Sequence, residues 1–206
     1  MNQEVIKMSF SERSHIFFSQ TSDGREFDFN IYSTLLAKRV IFLRGEVTEE
    51  IANSIVAQML FLDTEDAERD IFLYINSSDG LAPAALTIYD TMTQIQADIC
   101  TVCIGTAKGM ATLLLSSGTK GKRSALPNAR IAIAQPLGNT QGITNDIEVA
   151  AREIAHLRET VNRILAANTG QSIAQIKFDT ARDFYLDAEA AKDYGLIDNV
   201  IQKTPR

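Results

Sequence analysis

One stretch constrains the fold more than any other: Cys103-Ile104-Gly105-Thr106-Ala107-Lys108-Gly109-Met110-Ala111-Thr112-Leu113-Leu114-Leu115. β-branched residues from Ile99 lead into it, small residues turn it, and an apolar run leaves it. It therefore reads as a buried strand, a sharp turn and a buried helix. α/β enzymes present a nucleophile at such a turn, where the helix begins. Here the turn carries Lys108-Gly109. The setting of a catalytic serine is present and the serine is not.

The same alternation runs through the chain. Arg39–Leu43 reads as a strand, followed by a helix for which Thr48 is the N-cap, Glu49 and Glu50 suit the first turn, and Ile51, Ile55, Met59 and Leu62 form the apolar stripe. Ile71–Ile75 is a second strand, Asn76-Ser77-Ser78-Asp79-Gly80 its loop, and Pro83 to Gln94 its helix. Ile99–Ile104 with the helix from Gly109 is the third unit. Strands alternating with helices of this length imply parallel βαβ units whose site lies at the strand C-terminal ends. Loops 76–80 and 105–109 are therefore expected side by side.

Beyond Lys120-Gly121-Lys122-Arg123 come short strands at Ser124–Leu126 and Arg130–Ala134, the polar run Gly138-Asn139-Thr140-Gln141-Gly142, and a helix from Thr144 to Ala167. Ile147, Ala151, Ile154, Leu157, Val161 and Leu165 stripe that helix, and Glu148–Arg152 and Glu159–Arg163 are spaced to pair on it. Gly170 is placed as its C-cap. Helices at Gln171–Ala181 and Ala188–Tyr194 follow. Residues 1–30, polar with scattered phenylalanines around Ser22-Asp23-Gly24, read as an arm or loop, and residues 31–206 as one domain.

Composition narrows the function. A chain of 206 residues suits one core. A net charge of -6 and a pI near 5.0 argue against nucleic acid and anionic membranes, which need clustered Lys and Arg. The sequence holds no apolar run near the ~20 residues of a membrane span, and Met1-Asn2-Gln3-Glu4 lacks a signal peptide's basic start. Cys100 and Cys103 form a CxxC, but within a strand their side chains point to opposite faces, unlike a redox pair on a helix N-terminus. Two reduced thiols, no cofactor and no metal are the expectation. His15 and His156 read as solvated surface residues.

From Tyr32 to about Ile201 the chain resembles the proteolytic core of the Clp protease, a ClpP-like serine peptidase. Residues 74–80 resemble its YINSPGG loop, and Ile88-Tyr89-Asp90-Thr91-Met92 its IYDTM helix. Leu126-Pro127-Asn128 and Gln135-Pro136-Leu137-Gly138 match its LPN and QPLG segments. Ala151-Arg152-Glu153-Ile154, Asn168-Thr169-Gly170-Gln171, Asp179-Thr180 with Arg182-Asp183, and Tyr194-Gly195-Leu196-Ile197-Asp198 match its later blocks, in family order. The resemblance implies an α/β, ClpP/crotonase fold of repeated ββα units with a protruding strand-helix handle at about 138–170, assembled as stacked seven-membered rings around a chamber.

The departures from the family bear on function. The resemblance places the nucleophile at position 109 and the base at position 134, which are Gly109 and Ala134 here; of the triad only Asp183 is kept. An aspartate acts by orienting a histidine that deprotonates a serine, so Asp183 alone has no such role and is expected to tie down its loop beside Arg182. Gly80 and Met110 hold the family's oxyanion-hole positions, with Asp79 where the family has glycine. Gly138–Gly142 corresponds to the substrate strand of the handle, whose striped helix is expected to need a partner beyond the chain's own head. Phe72, Tyr74, Leu126 and Ile201 correspond to the hydrophobic cleft between subunits that receives an ATPase loop, and Gln94 replaces an aromatic there. The expected protein is an inactive, ClpR-type subunit of cyanobacterial cytoplasm or plastid stroma. Its expected partners are active ClpP-type subunits in mixed rings, an AAA+ ATPase and unfolded substrates. Two alternatives stand. One is a peptidase with a relocated nucleophile, Lys108 activating Ser77 or Ser78, Ser116 being roughly 12 Å up the helix at 1.5 Å per residue. The other is a crotonase-like acyl-thioester binder. Otherwise Lys108 is expected to be a solvated charge.

Overall fold

The computed structural model describes residues 7–10, 16–22, 25–136 and 144–202, in two compact units, Met1–Ile41 and Phe42–Arg206. In the first, β1 (Lys7–Phe10), β2 (Ile16–Ser22) and β3 (Arg25–Asn30) form an antiparallel three-stranded sheet, and α1 (Ile31–Ala37) follows. The described part of residues 1–30, expected to be an arm or loop, is thus strand. Phe27 and Phe29 alternate with Glu26, Asp28 and Asn30, and Ser22 pairs with Arg25 across the dipeptide Asp23-Gly24, a strong hairpin signal that outweighs overall polarity.

β4 (Val40–Arg44) runs across the boundary, and the second unit continues with α2 (Glu49–Glu65), β5 (Ile71–Ser77), α3 (Ala82–Gln94), β6 (Ile99–Lys108) and α4 (Met110–Ser116). Then come β7 (Arg123–Ala125), β8 (Arg130–Ile133), α5 (Thr144–Thr169), α6 (Ile173–Asp179), β9 (Phe184–Leu186), α7 (Ala188–Tyr194) and β10 (Asn199–Val200). Seven helices lie among the described residues. The main sheet runs β10-β7-β6-β5-β4, with β8 joining β6 and β9. β5, β7 and β8 pair parallel to β6, while β9 is antiparallel to β8. This is a mixed α/β architecture, as the alternation of strands and helices required.

Strand periodicity sorts β5 into two faces: Ile71, Leu73, Ile75 and Ser77 are buried, whereas Phe72 is exposed and Tyr74 half-buried. α4 packs on β5, β6 and β8, and α3 lies against both α2 and α4. β6 is buried on both faces over Ile99–Cys103, which explains its unbroken apolar run. Both cysteines are free and buried in it. Burial and the Asp70 carboxylate push the Cys100 thiol up to about 12, and burial pushes Cys103 up to about 11. Neither is a ready thiolate, which fits the strand reading of the CxxC.

Local signals set the helix ends. Thr48 caps α2 by accepting from the Ile51 N–H at 3.3 Å, Ser172 caps α6, and Gly195 ends α7 in the left-handed region at φ 95. α5 departs from expectation. Val161, Ile164 and Leu165 of its C-terminal half are buried within the chain, while Ile147 and Val149 in its N-terminal half are 43% and 65% exposed. The stripe therefore serves the chain's own core at one end and is uncovered only at the other. Glu148 and Arg152 pair at 2.5 Å, but Glu159 pairs with Lys177 of α6 at 2.9 Å rather than with Arg163, which donates to Thr160. The expected handle strand, Gly138, Asn139, Thr140, Gln141 and Gly142, lies outside the described residues.

Arg123 ties these pieces together. Only 4% exposed, it donates from Nη2 to Asp198 Oδ1 at 2.6 Å and from Nε to Asp198 Oδ2 at 2.9 Å. Its Nη1 donates to the carbonyls of Ser116 and Asn168, which end α4 and lie in the last turn of α5. Removing the carboxylate would leave a buried guanidinium without its partner, so Asp198→Asn is expected to cost about 3 kcal/mol. Arg123 holds the Asp198 carboxyl below its ordinary 3.8, so the stabilisation is complete above that value and lost as pH falls beneath it. Thermal melts of the native chain and Asp198→Asn should differ most near neutral pH and converge in acid.

Candidate functional site

The two loops do lie side by side. β5 and β6 pair from Ile71↔Ile99 to Ser77↔Ala107, with a register shift between Ile75 and Ser77. Asn76 Oδ1 accepts from the Thr106 N–H at 3.1 Å and sits where a side chain on Gly105 would collide with it, 2.6 Å from an added Cβ. Val47 backs the first loop, its N–H donating to the Asp79 carbonyl and its carbonyl accepting from Leu81 N–H. That contact leaves no room for a Cβ on Gly80, which would stand 2.6 Å from Val47 Cα.

Gly109 is the N-cap of α4, at φ 53 and ψ -113, in the positive-φ conformation of a sharp strand-to-helix turn. Its N–H donates to the Ala132 carbonyl at 3.0 Å, and the Thr112 hydroxyl lies 2.7 Å from the same oxygen. Lys108 pairs with Ala132 in the β6–β8 register, and Ile133 with Phe184 in the β8–β9 register. Ala134 follows Ile133 and Asp183 precedes Phe184, so the two flank the last rung of that antiparallel pair. Positions 109, 134 and 183 thus converge on the ends of β6, β8 and β9, and Ala134 is 5% exposed.

Charge fills this junction in a way the sequence reading did not foresee. Lys108 Nζ lies 2.7 Å from Asp183 Oδ2. Lys108 stays solvent-accessible, as expected, but it is not unpartnered: it pairs with the exposed Asp183, because the end of β6 faces the start of β9. The Asp183 hydrogen bond, opposed by burial, raises Lys108 above its ordinary value, so it holds its proton more tightly.

Asp79 provides the second surprise. Its Oδ1 accepts from the Gly80 N–H at 2.9 Å and from the Met110 N–H at 3.1 Å. The carboxylate thus sits on two converging backbone amides, one from each loop. Its own backbone is at φ 141, a region few residues other than glycine adopt. The signal in the sequence was an aspartate at a glycine position, two residues after a buried serine whose hydroxyl donates to the Asp79 carbonyl at 3.3 Å.

Other candidates fall apart from the site. His156 is exposed on α5 and His15 lies outside the described residues. Ser116 is 1% exposed and bonds the Leu113 carbonyl. Phe72, Leu126 and Ile201 are all exposed, and Tyr74 packs against Phe42 with ring centroids 5.5 Å apart. Gln94 is exposed at the end of α3, in the helical layer. Among the described residues no cluster of His, Cys, Asp and Glu is placed to hold a metal ion, and no helix is long and apolar enough to cross a membrane.

A strand-turn-helix elbow at the C-terminal end of β6, with two backbone amides converging on one carboxylate, belongs to a mixed α/β protein. The family model described as Clp protease matches residues 23–204. The chain belongs to the Clp protease family, and is a ClpP-like core subunit of it.

Burial raises the Asp79 carboxyl above its ordinary 3.8, outweighing the two amides and Lys108, which lower it. An acid with a raised folded value favours the protonated form, so its ionisation costs stability as pH rises through that window. Asp79→Asn keeps the accepting oxygen without the charge. Its melting temperature relative to the native chain should be most favourable at neutral pH, and the difference should shrink as pH is lowered toward 4. A constant difference across that range would show that ionised Asp79 carries no desolvation cost.

Proposed function

We propose that this chain is a non-catalytic, ClpR-type subunit of a Clp protease core. It sits in mixed rings beside active ClpP-type subunits and supplies chamber wall, ring contacts and ATPase-docking surface for the degradation of unfolded proteins. The observation that carries the reading is that the three triad positions converge while two of them are Gly109 and Ala134. With neither hydroxyl nor imidazole there, the third member, Asp183, bonds Lys108 instead. The reading places the protein in cyanobacterial cytoplasm or plastid stroma.

A relocated nucleophile finds little support. Ser77 is 2% exposed and its hydroxyl is spent on the Asp79 carbonyl. Lys108, proton held by Asp183, is poorly matched to act as a base near neutral pH. The crotonase-like acyl-thioester reading depends on two free oxyanion amides, and Asp79 engages both.

The native chain should not label with a fluorophosphonate serine probe, and native mass spectrometry of the source complex should find it beside a subunit retaining Ser, His and Asp. Labelling, or peptidase activity from a homo-oligomer, would overturn the reading. Triad members act as a unit, and losing one can cost on the order of 10⁶ in turnover. Gly109→Ser or Ala134→His alone should therefore leave the chain unlabelled, and the pair together should label slowly.

Docking of the ATPase is expected to be weak at this subunit. Phe72, Leu126 and Ile201 offer exposed apolar surface, and the exposed Gln94 amide of an adjoining subunit would face it where the family has an aromatic. An aromatic at a buried anchor is worth about 1–3 kcal/mol, so Gln94→Phe should tighten ATPase binding by about tenfold in a reconstituted ring. Unchanged affinity would remove Gln94 from the docking surface.

A further inference from the structure

The carboxylate of Asp79 stands where two things would otherwise be. It takes the Gly80 and Met110 amides, at 2.9 and 3.1 Å, and it fills the space that any side chain on residue 109 would enter. A Cβ built on Gly109 comes within 2.6 Å of Asp79 Cγ and 2.7 Å of Oδ2. Real Cβ atoms do not approach so closely, and the atoms met belong to a short side chain anchored by two hydrogen bonds, not to a flexible tip. The backbone registers the same constraint. Asp79 is one of two non-glycine residues with positive φ among those described, at φ 141, while Gly109 occupies φ 53. Strain of this kind persists where surrounding contacts hold it in place.

We infer that Asp79 and Gly109 are a compensated pair, in which the Asp79 carboxylate fills the pocket from within and penalises any side chain at position 109. The elbow and its amides are thereby held in place without substrate, and a peptide carbonyl from the chamber meets amides already engaged. This adds a barrier independent of the missing serine and histidine. The inference rests on the non-catalytic reading only for the pocket's meaning, since its tests measure structure and not turnover.

Four full-length chains decide it: native, Gly109→Ala, Asp79→Gly, and the two substitutions together. The positive φ of residue 109 penalises alanine in both backgrounds, so the cycle cancels that cost and isolates the clash. Gly109→Ala should lower the melting temperature of the native chain by at least about 4 °C more than it lowers that of Asp79→Gly. Additive losses, within about 1 °C, would overturn the pairing.

Should Gly109→Ala fail to fold, amide exchange on the remaining variants still decides the matter. In Asp79→Asn, which keeps an accepting oxygen, the Gly80 and Met110 amides should exchange slowly, as in the native chain. In Asp79→Gly both should exchange at least about tenfold faster. Equal exchange in Asp79→Gly and the native chain would show that the carboxylate does not hold these amides, and would leave the non-catalytic reading standing. Fluorophosphonate labelling of the native chain would remove that reading and leave the pairing standing.

Discussion

Everything at the site depends on how β6 is paired. Its N-terminal half lies between β5 and β7, while its last residues, Thr106 to Lys108, lie beside β8. A strand held on both sides cannot shift register without moving its side chains to the wrong faces, so residue 109 emerges at a fixed point. From there the Gly109 N–H reaches the Ala132 carbonyl, and the helix departs with Met110, Ala111, Leu113, Leu114 and Leu115 fully enclosed. The elbow is thus a consequence of core packing.

This scaffold tolerates an unusual residue at position 79 because it gains contacts in return. Holding a non-glycine residue at such a φ costs on the order of 1–3 kcal/mol. Hydrogen bonds from two amides to a charged acceptor contribute about 1.5–3 kcal/mol each, reduced here by the burial that raises the carboxyl. The hydrogen bonds offset the backbone cost, so the conformation is sustainable. Glycine at 79 would relieve the backbone, but it would leave the Gly80 and Met110 amides without this acceptor.

Much of the fold was legible because periodicity and capping act locally. Thr48, Gly170 and Gly195 mark helix ends by their residue types, and the alternation in Ile71–Ser77 separates a buried face from one carrying Phe72 and Tyr74. The N-terminal strands were missed because average polarity masked a period-two pattern around Phe27 and Phe29. In α5 periodicity cannot say what covers a stripe: Val161 and Leu165 are buried within their own chain, whereas Ile147 and Ala151 of the same stripe are exposed. At the site, residue types put Gly109 and Ala134 where the resemblance places a nucleophile and a base. The Lys108–Asp183 pair was not legible, since the two are 75 positions apart (183 minus 108) and meet only through the β6–β8–β9 pairing.

The charges at the junction also bear on chemistry. A triad works because its base has a value near the working pH and can take and return a proton. Here Asp183 holds a lysine whose proton affinity it raises, and the second carboxylate, Asp79, accepts from the Gly80 and Met110 amides. Both groups are engaged within the chain, yet burial still raises the Asp79 carboxyl. On the proposed non-catalytic reading, these contacts stand where the charges of catalysis would develop in an active relative.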